Sequence, residues 1–217
     1  MKKKNILTAV LSLCLVAVIT VGATLAYFTD KSEAVYNTFT TGNIKIAVVD
    51  ETNPTEGQVG GVKDPETGDI AYGTETPIMP GDVISKQVSV SVDSDSQPAW
   101  VALKLTTNVS LSADSKLTVD EANAAVKALI DQEVAKQRAW VEDENNEGVY
   151  YYCGIVQPGD TAAFIFNTLT IPGEAWGNDY AGMTFTIDVK AAAVQAANID
   201  TIEDAKPELS KLFIEIS

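Results

Sequence analysis

From Ile44 onward, apolar residues recur at every second position, and that period limits what the chain can become. Ile44, Ile46 and Val48 form one such run; Val88, Val90 and Val92 a second; Val101, Leu103 and Leu105 a third; Phe185, Ile187 and Val189 a fourth. Side chains alternate between the two faces of a strand, so each run predicts a half-buried strand with one face on a core. Ala162 to Phe166 predict one more, apolar throughout. Apolar residues make up 46% of the 217-residue chain and charged residues 21%, enough to bury a core and unlike a disordered acidic tail.

Turn residues separate these runs. Pro80-Gly81-Asp82 and Pro158-Gly159-Asp160 each lead into a predicted strand, with Pro fixing φ and Gly permitting the bend. Glu51 to Pro77 is rich in Gly and Pro and has no sustained period, which predicts a long exposed loop containing at most a short hairpin. One segment departs from the period of two. Thr118-Val119-Asp120-Glu121 has capping-box spacing, and Ala122, Val126, Leu129, Ile130 and Val134 follow at helical spacing, so a helix is expected over about 119–139. Trp140-Val141 and Val149 to Cys153 flank an acidic turn, Glu142 to Gly148, as the two arms of a hairpin would. The expectation is a mainly β fold, a two-sheet antiparallel sandwich with one inserted helix.

The chain has no histidine, two cysteines, and 15 Lys and Arg against 30 Asp and Glu, a formal net charge of −15. Without imidazole there is no Ser-His-Asp or Cys-His pair and no HExxH zinc site. Phosphate backbones repel such an acidic chain, so no nucleic-acid partner is expected.

The first residues follow the plan of a secretory leader: Lys2, Lys3 and Lys4, an uncharged apolar run from Ile6 to Val21, then Gly22 and the small-residue stretch Ala23-Thr24-Leu25-Ala26. Thr24 and Ala26 occupy the −3 and −1 positions of a cut between Ala26 and Tyr27, so 1–26 is read as a signal peptide. The competing reading is an uncleaved anchor, since the uncharged stretch reaches Phe28. Cleavage removes three bases and no acid, leaving 12 bases against 30 acids, a charge of −18. Cys14 departs with the leader as a small hydrophobe, and Cys153 alone cannot form an intramolecular disulfide.

Candidate chemistry in the body is sparse. Asp143-Glu144-Asn145-Asn146-Glu147-Gly148 resembles the opening of a calcium loop, but Gly154 stands where the closing bidentate Glu is required. Asp93-Ser94-Asp95-Ser96 lacks a Gly and a closing carboxylate, and is read as a strand-end loop. Weak divalent-cation binding is therefore the most that is expected, with no cofactor, no metal site and no catalytic residue. Cys153, with no His to activate it, is read as a buried or half-buried strand residue beside a tyrosine run that packs on the sheet.

Several separate segments resemble one group, the exported proteins related to the biofilm fibre subunit TasA and to camelysin, whose leaders are cut by a SipW-type signal peptidase. They are Ala23 to Asp30, Asn37-Thr38-Phe39-Thr40-Thr41-Gly42-Asn43-Ile44, Met79-Pro80-Gly81-Asp82, Tyr150-Tyr151-Tyr152, Pro158-Gly159-Asp160 and Ile187 to Asn198. The resemblance implies a jelly-roll-like sandwich over 44–198 and a filament in which the N-terminal segment, 27–43, adds a strand to the next subunit. Within that segment Phe28, Val35, Tyr36 and Phe39 are singled out as donor-strand anchors, being apolar in a polar stretch; the competing reading makes this segment the first strand of its own domain. The implied partners are a second copy of the chain, the signal peptidase and an accessory assembly protein. The implied place is outside the cell, in a matrix or at the surface. Camelysin-type metallopeptidase activity and a monomeric surface-binding or adhesion module are the alternatives, and the first conflicts with the missing histidines. Residues 199–217, with the break expected at Pro207, depart from the group's pattern and are read as a C-terminal extension.

Overall fold

A computed structural model describes residues 44–66, 68, 70–73, 78–173 and 175–215. The expected leader, the Ala26–Tyr27 cut and the anchors Phe28, Val35, Tyr36 and Phe39 lie outside the described residues. In chain order the strands are β1 (Ile46–Glu51), β2 (Gln58–Val59), β3 (Val62–Lys63), β4 (Ile70–Ala71), β5 (Val83–Val92) and β6 (Ala99–Ser110), then β7 (Trp140–Glu142), β8 (Val149–Tyr152), β9 (Phe166–Thr170) and β10 (Thr184–Gln195). Helix α1 (Val119–Val134) lies between β6 and β7, and α2 (Ile202–Glu215) follows β10. No helix among the described residues is long and apolar enough to cross a membrane.

The strands form two four-stranded sheets and the small β3–β4 hairpin. In the first sheet β5 is central. Val88 pairs with Asp50 of β1 on one side and Phe166 of β9 on the other, and Ile84 likewise has Val59 of β2 and Leu169 of β9. β1 and β2 therefore share one flank of β5, and β9 takes the other. The second sheet has the order β10-β6-β8-β7, and β6 and β10 pair antiparallel from Ala99–Gln195 to Ser110–Thr184. The alternation that predicted the strands fills the space between the sheets. Val88, Val90 and Val92 from β5 meet Val101 and Leu103 from β6 and Ala191 and Ala193 from β10 in one apolar cluster.

The mainly β sandwich with an inserted helix is the observed fold, with adjustments of physical interest. Helix α1 has the expected capping box, with Thr118 accepting from the Glu121 N–H at 3.2 Å while the Glu121 carboxylate accepts from the Thr118 N–H at 2.8 Å. The helix ends at Val134 rather than near 139, where the chain tightens into turns with the Lys136 N–H bonded to the Glu133 carbonyl and the Gln137 N–H to that of Val134, and Arg138, at a left-handed φ of 44°, then leads into β7. The strand expected over 162–166 begins only at Phe166. Upstream, the Ala162 and Ile165 N–H groups bond singly to the carbonyls of Val90 and Val88, and the ladder to β5 shifts register between Ser85 and Val88.

The C-terminal extension is a helix, and the break expected at Pro207 does not occur. Pro207 lies inside α2. An interior Pro costs about 3 kcal/mol through its lost hydrogen bond and ring clash. The helix persists because Ala205, Leu209 and Phe213 are buried against Trp100, Ala102, Val149, Tyr151 and Ala192 on the outer face of the second sheet. Burying the Leu209 and Phe213 side chains is worth about 1.5–3 kcal/mol each, which offsets the proline. Strands β6 and β8 are thus covered on both faces, which is why Ala99 to Leu103 and the tyrosine run read as nearly unbroken apolar stretches.

Candidate functional site

The inward alternation of β1 and β5 is apolar except at two neighbouring positions. On β1 the register places Ile46 opposite Val92, Val48 opposite Val90 and Asp50 opposite Val88, so the third inward residue is an acid. On β5 the corresponding interruption is Lys86, between Ile84 and Val88. The two meet: Lys86 Nζ donates to both Asp50 carboxylate oxygens, at 2.8 and 2.7 Å. Lys86 is only 8% exposed, whereas the Asp50 side chain keeps 31% of its surface. Lys86 Nζ also stands 5.9 Å from the centre of the Tyr72 ring. The Tyr72 hydroxyl donates to the Ser85 carbonyl at 2.8 Å, and burial, partly opposed by its bond to Thr52 and reinforced by the Asp50 charge, pushes that hydroxyl up to about 12.

This pair lies in the wall of a cleft of about 810 Å³ between the two sheets. Ile84, Lys86, Leu169 and Asp50 form one side, Met183 and Thr184 to Asp188 of β10 the other, and Ile70 to Gly73 with Ile78 close the end. Phe185, Ile187 and Val189, the inward residues of β10, are only half-buried, unlike Ala191 and Ala193 further along the same strand. Phe185 is held by an edge-on contact to Trp176, ring centres 6.3 Å apart, and Trp176 stacks on Tyr180 at 5.0 Å. Among the described residues no strand pairs with the outer edge of β1 or of β10. The cleft therefore has a mixed lining, with Ile84, Leu169, Phe185 and Ile187 beside Thr184, Thr186 and Asp188, one ion pair, and two bordering strands whose outer edges no described strand pairs. Those are the requirements for holding an extended polypeptide.

The acidic turn that resembled a calcium loop is the hairpin turn between β7 and β8, closed by the Asp143 N–H donating to the Val149 carbonyl at 2.8 Å. The Asp143 carboxylate is occupied within the molecule: it accepts from the Tyr151 hydroxyl, the Ser210 hydroxyl at 3.2 Å, the Asn146 amide at 2.9 Å and the Asn145 N–H at 2.9 Å. Burial raises this carboxyl, but those four donors together hold it down at about 2. Asp93 accepts from the Asp95 N–H at 2.9 Å in a strand-end turn. Among the described residues, no group of three or more His, Cys, Asp or Glu is placed to hold a metal ion. Cys153 is exposed and lies just beyond β8, not within it; the chain bends there while the Cys153 N–H bonds to the Ala139 carbonyl.

Asp143 joins the β7–β8 hairpin to Ser210 of α2, which gives a pH test. Its folded carboxyl lies below the ordinary value near 3.8, so its contribution is fully present above that pH and is lost as pH falls toward about 2. The melting temperature of Asp143→Asn is expected to fall less steeply than that of the parent between pH 4 and 2; parallel curves would show that Asp143 does not link the two elements.

Asp50, Lys86, Tyr72, Phe185 and Ile187 were not singled out from the sequence as a site. Their available signal was a charge at an inward position in each of two adjacent alternating strands. No protein-family model, curated protein or solved structure matches the chain.

Proposed function

We propose that the chain is an exported structural subunit of an extracellular fibre or surface layer, joined to its neighbours by an N-terminal strand laid into the next subunit's cleft. The observation that carries this reading is the half-open side of the sandwich, where the edges of β1 and β10 border a cleft that exposes part of Phe185 and Ile187. Strand addition would satisfy the edge backbone groups and cover Phe185 and Ile187, while the cleft supplies grooves for alternate side chains. The resemblance of the leader and of residues 37–44 to the TasA and camelysin group supplies the donor, the segment 27–43 freed by cleavage.

The secreted chain is expected to form filaments visible by negative-stain electron microscopy, and deletion of 27–39 is expected to abolish them. Equal polymerisation by the deleted form would refute strand donation. EDTA-sensitive casein cleavage by purified chain would instead support the peptidase alternative.

A further inference from the structure

We propose that the outer edge of β7 is a self-association surface, on which a second copy of the chain lays its own β7 antiparallel about a twofold axis at Val141. This surface is independent of strand exchange, because it lies at the edge of the second sheet opposite β10 and uses described residues alone. In the order β10-β6-β8-β7, β7 has a neighbour on one side only. The Asp143 N–H bonds to the Val149 carbonyl and the Cys153 N–H to the Ala139 carbonyl, so Val141 and its odd-numbered neighbours turn their backbone groups toward β8. That direction alternates along an antiparallel ladder, and the N–H and C=O groups of Trp140 and Glu142 therefore face outward. Among the described residues no backbone partner takes them up.

One register uses all of these groups. Trp140 pairs with Glu142 of the second copy, Glu142 with its Trp140, and Val141 stands opposite Val141 on the outer face, where it is exposed. A two-residue slip leaves half of the outward groups unmatched within the strand and sets Trp140 against Trp140 or Glu142 against Glu142. Charge fixes the direction. The exposed residues Lys136 and Arg138 precede β7, and the exposed residues Glu144 and Glu147 follow it. An antiparallel partner lays its acidic end beside the basic end of the first copy, so Arg138 meets Glu144 of the second copy, twice by symmetry. A parallel partner would set base on base and acid on acid. Neither Arg138 nor Glu144 has an ion-pair partner among the described residues. Short edge strands flanked by charge ordinarily resist pairing because like charges meet. Here the order of signs along the strand makes self-pairing complementary, on a chain whose net charge of −15 makes other approaches repulsive.

Cysteine cross-linking of the full chain is the test. Val141 meets its counterpart at a non-hydrogen-bonded position, where Cα atoms stand about 4.5 Å apart, inside the range of about 4.4–6.8 Å that a disulfide spans. In a Cys14→Ser/Cys153→Ser background, Val141→Cys is expected to give a reducible dimer under mild oxidation. Ser110→Cys, exposed at the end of β6, is expected to give none above the level of random collision. Adding Arg138→Glu is expected to slow the Val141→Cys cross-link about fivefold, and Arg138→Glu/Glu144→Arg to restore it. All four positions are exposed, so none of these changes removes a buried contact. Equal cross-linking through positions 141 and 110 overturns the proposal, and so does a charge swap that leaves the rate low.

Discussion

Leu209→Asp is expected to release helix α2 from the sheet while the sandwich beneath stays folded. Leu209 is fully buried among Ala102, Val149, Tyr151 and Ala192, with Phe213 and Ala205 on the same side of the helix. Removing a buried leucine side chain costs about 2–5 kcal/mol, and an unpaired carboxylate at that depth costs more. The chain can avoid the charge penalty by undocking α2, because this apolar cluster is separate from the one between the sheets. Local opening is therefore cheaper than global unfolding. Hydrogen exchange should show loss of protection over 202–215, where the parent is protected, and retained protection in β5 and β6. The exposed face of Trp100, Val149 and Tyr151 should bind a hydrophobic dye. Cooperative loss of protection throughout the chain would show that the two clusters are one folding unit.

Gly148→Ala is expected to be the most costly single-methyl addition in the hairpin region. Gly148 has φ +76°, and a Cβ built there lies 2.5 Å from the carbonyl oxygen of Leu105. The left-handed conformation alone costs a non-glycine residue about 1–2 kcal/mol. The clash adds to this, because the obstacle is backbone in the centre of a sheet and cannot swing aside. Relief requires the β7–β8 hairpin to shift, at the expense of the bond from the Leu105 N–H to the Gly148 carbonyl at 2.8 Å. A loss of about 3 kcal/mol corresponds to a melting temperature lower by about 6–12 °C in a domain of this size. Gly57→Ala is the control. Its φ is +83°, but no atom lies within 4 Å of the added carbon, so only the conformational cost should appear. Equal losses at the two positions would show that the Leu105 contact carries no energy.

The strands were legible wherever apolar and polar side chains alternate, as Val88, Val90 and Val92 do with Ser89 and Ser91 in β5, because period two then survives in the sequence. The capping box of α1 was legible for a local reason, since Thr118 and Glu121 satisfy each other within four residues. Helix α2 was obscured by a local signal that tertiary packing overrides: Ala205, Leu209 and Phe213 carry helical spacing, yet Pro207 reads as a stop. Cys153 was misplaced because alternation was extended one residue past the end of β8. The cleft was hidden for a different reason. Asp50 and Lys86 are 36 residues apart, and each alone looks like an ordinary surface charge on a strand. Only the β1–β5 register places both on the inner face, and a single strand's sequence does not specify register with a partner.

The order in which the strands are made sets a clock on folding. β5 is bordered by β9 and β6 by β10, and in the second sheet residue 99 pairs with residue 195. Neither four-stranded sheet can therefore close until the last quarter of the chain is available. Non-local pairing of this kind pays its loop-closure entropy before any stabilising contact forms, and such topologies fold in milliseconds to seconds where local ones take microseconds. Through that interval the apolar face of β5 lacks one of its neighbours. A chain that exposes strand edges while it waits benefits from the mutual repulsion that its excess of 15 negative charges supplies, which keeps unfinished copies apart.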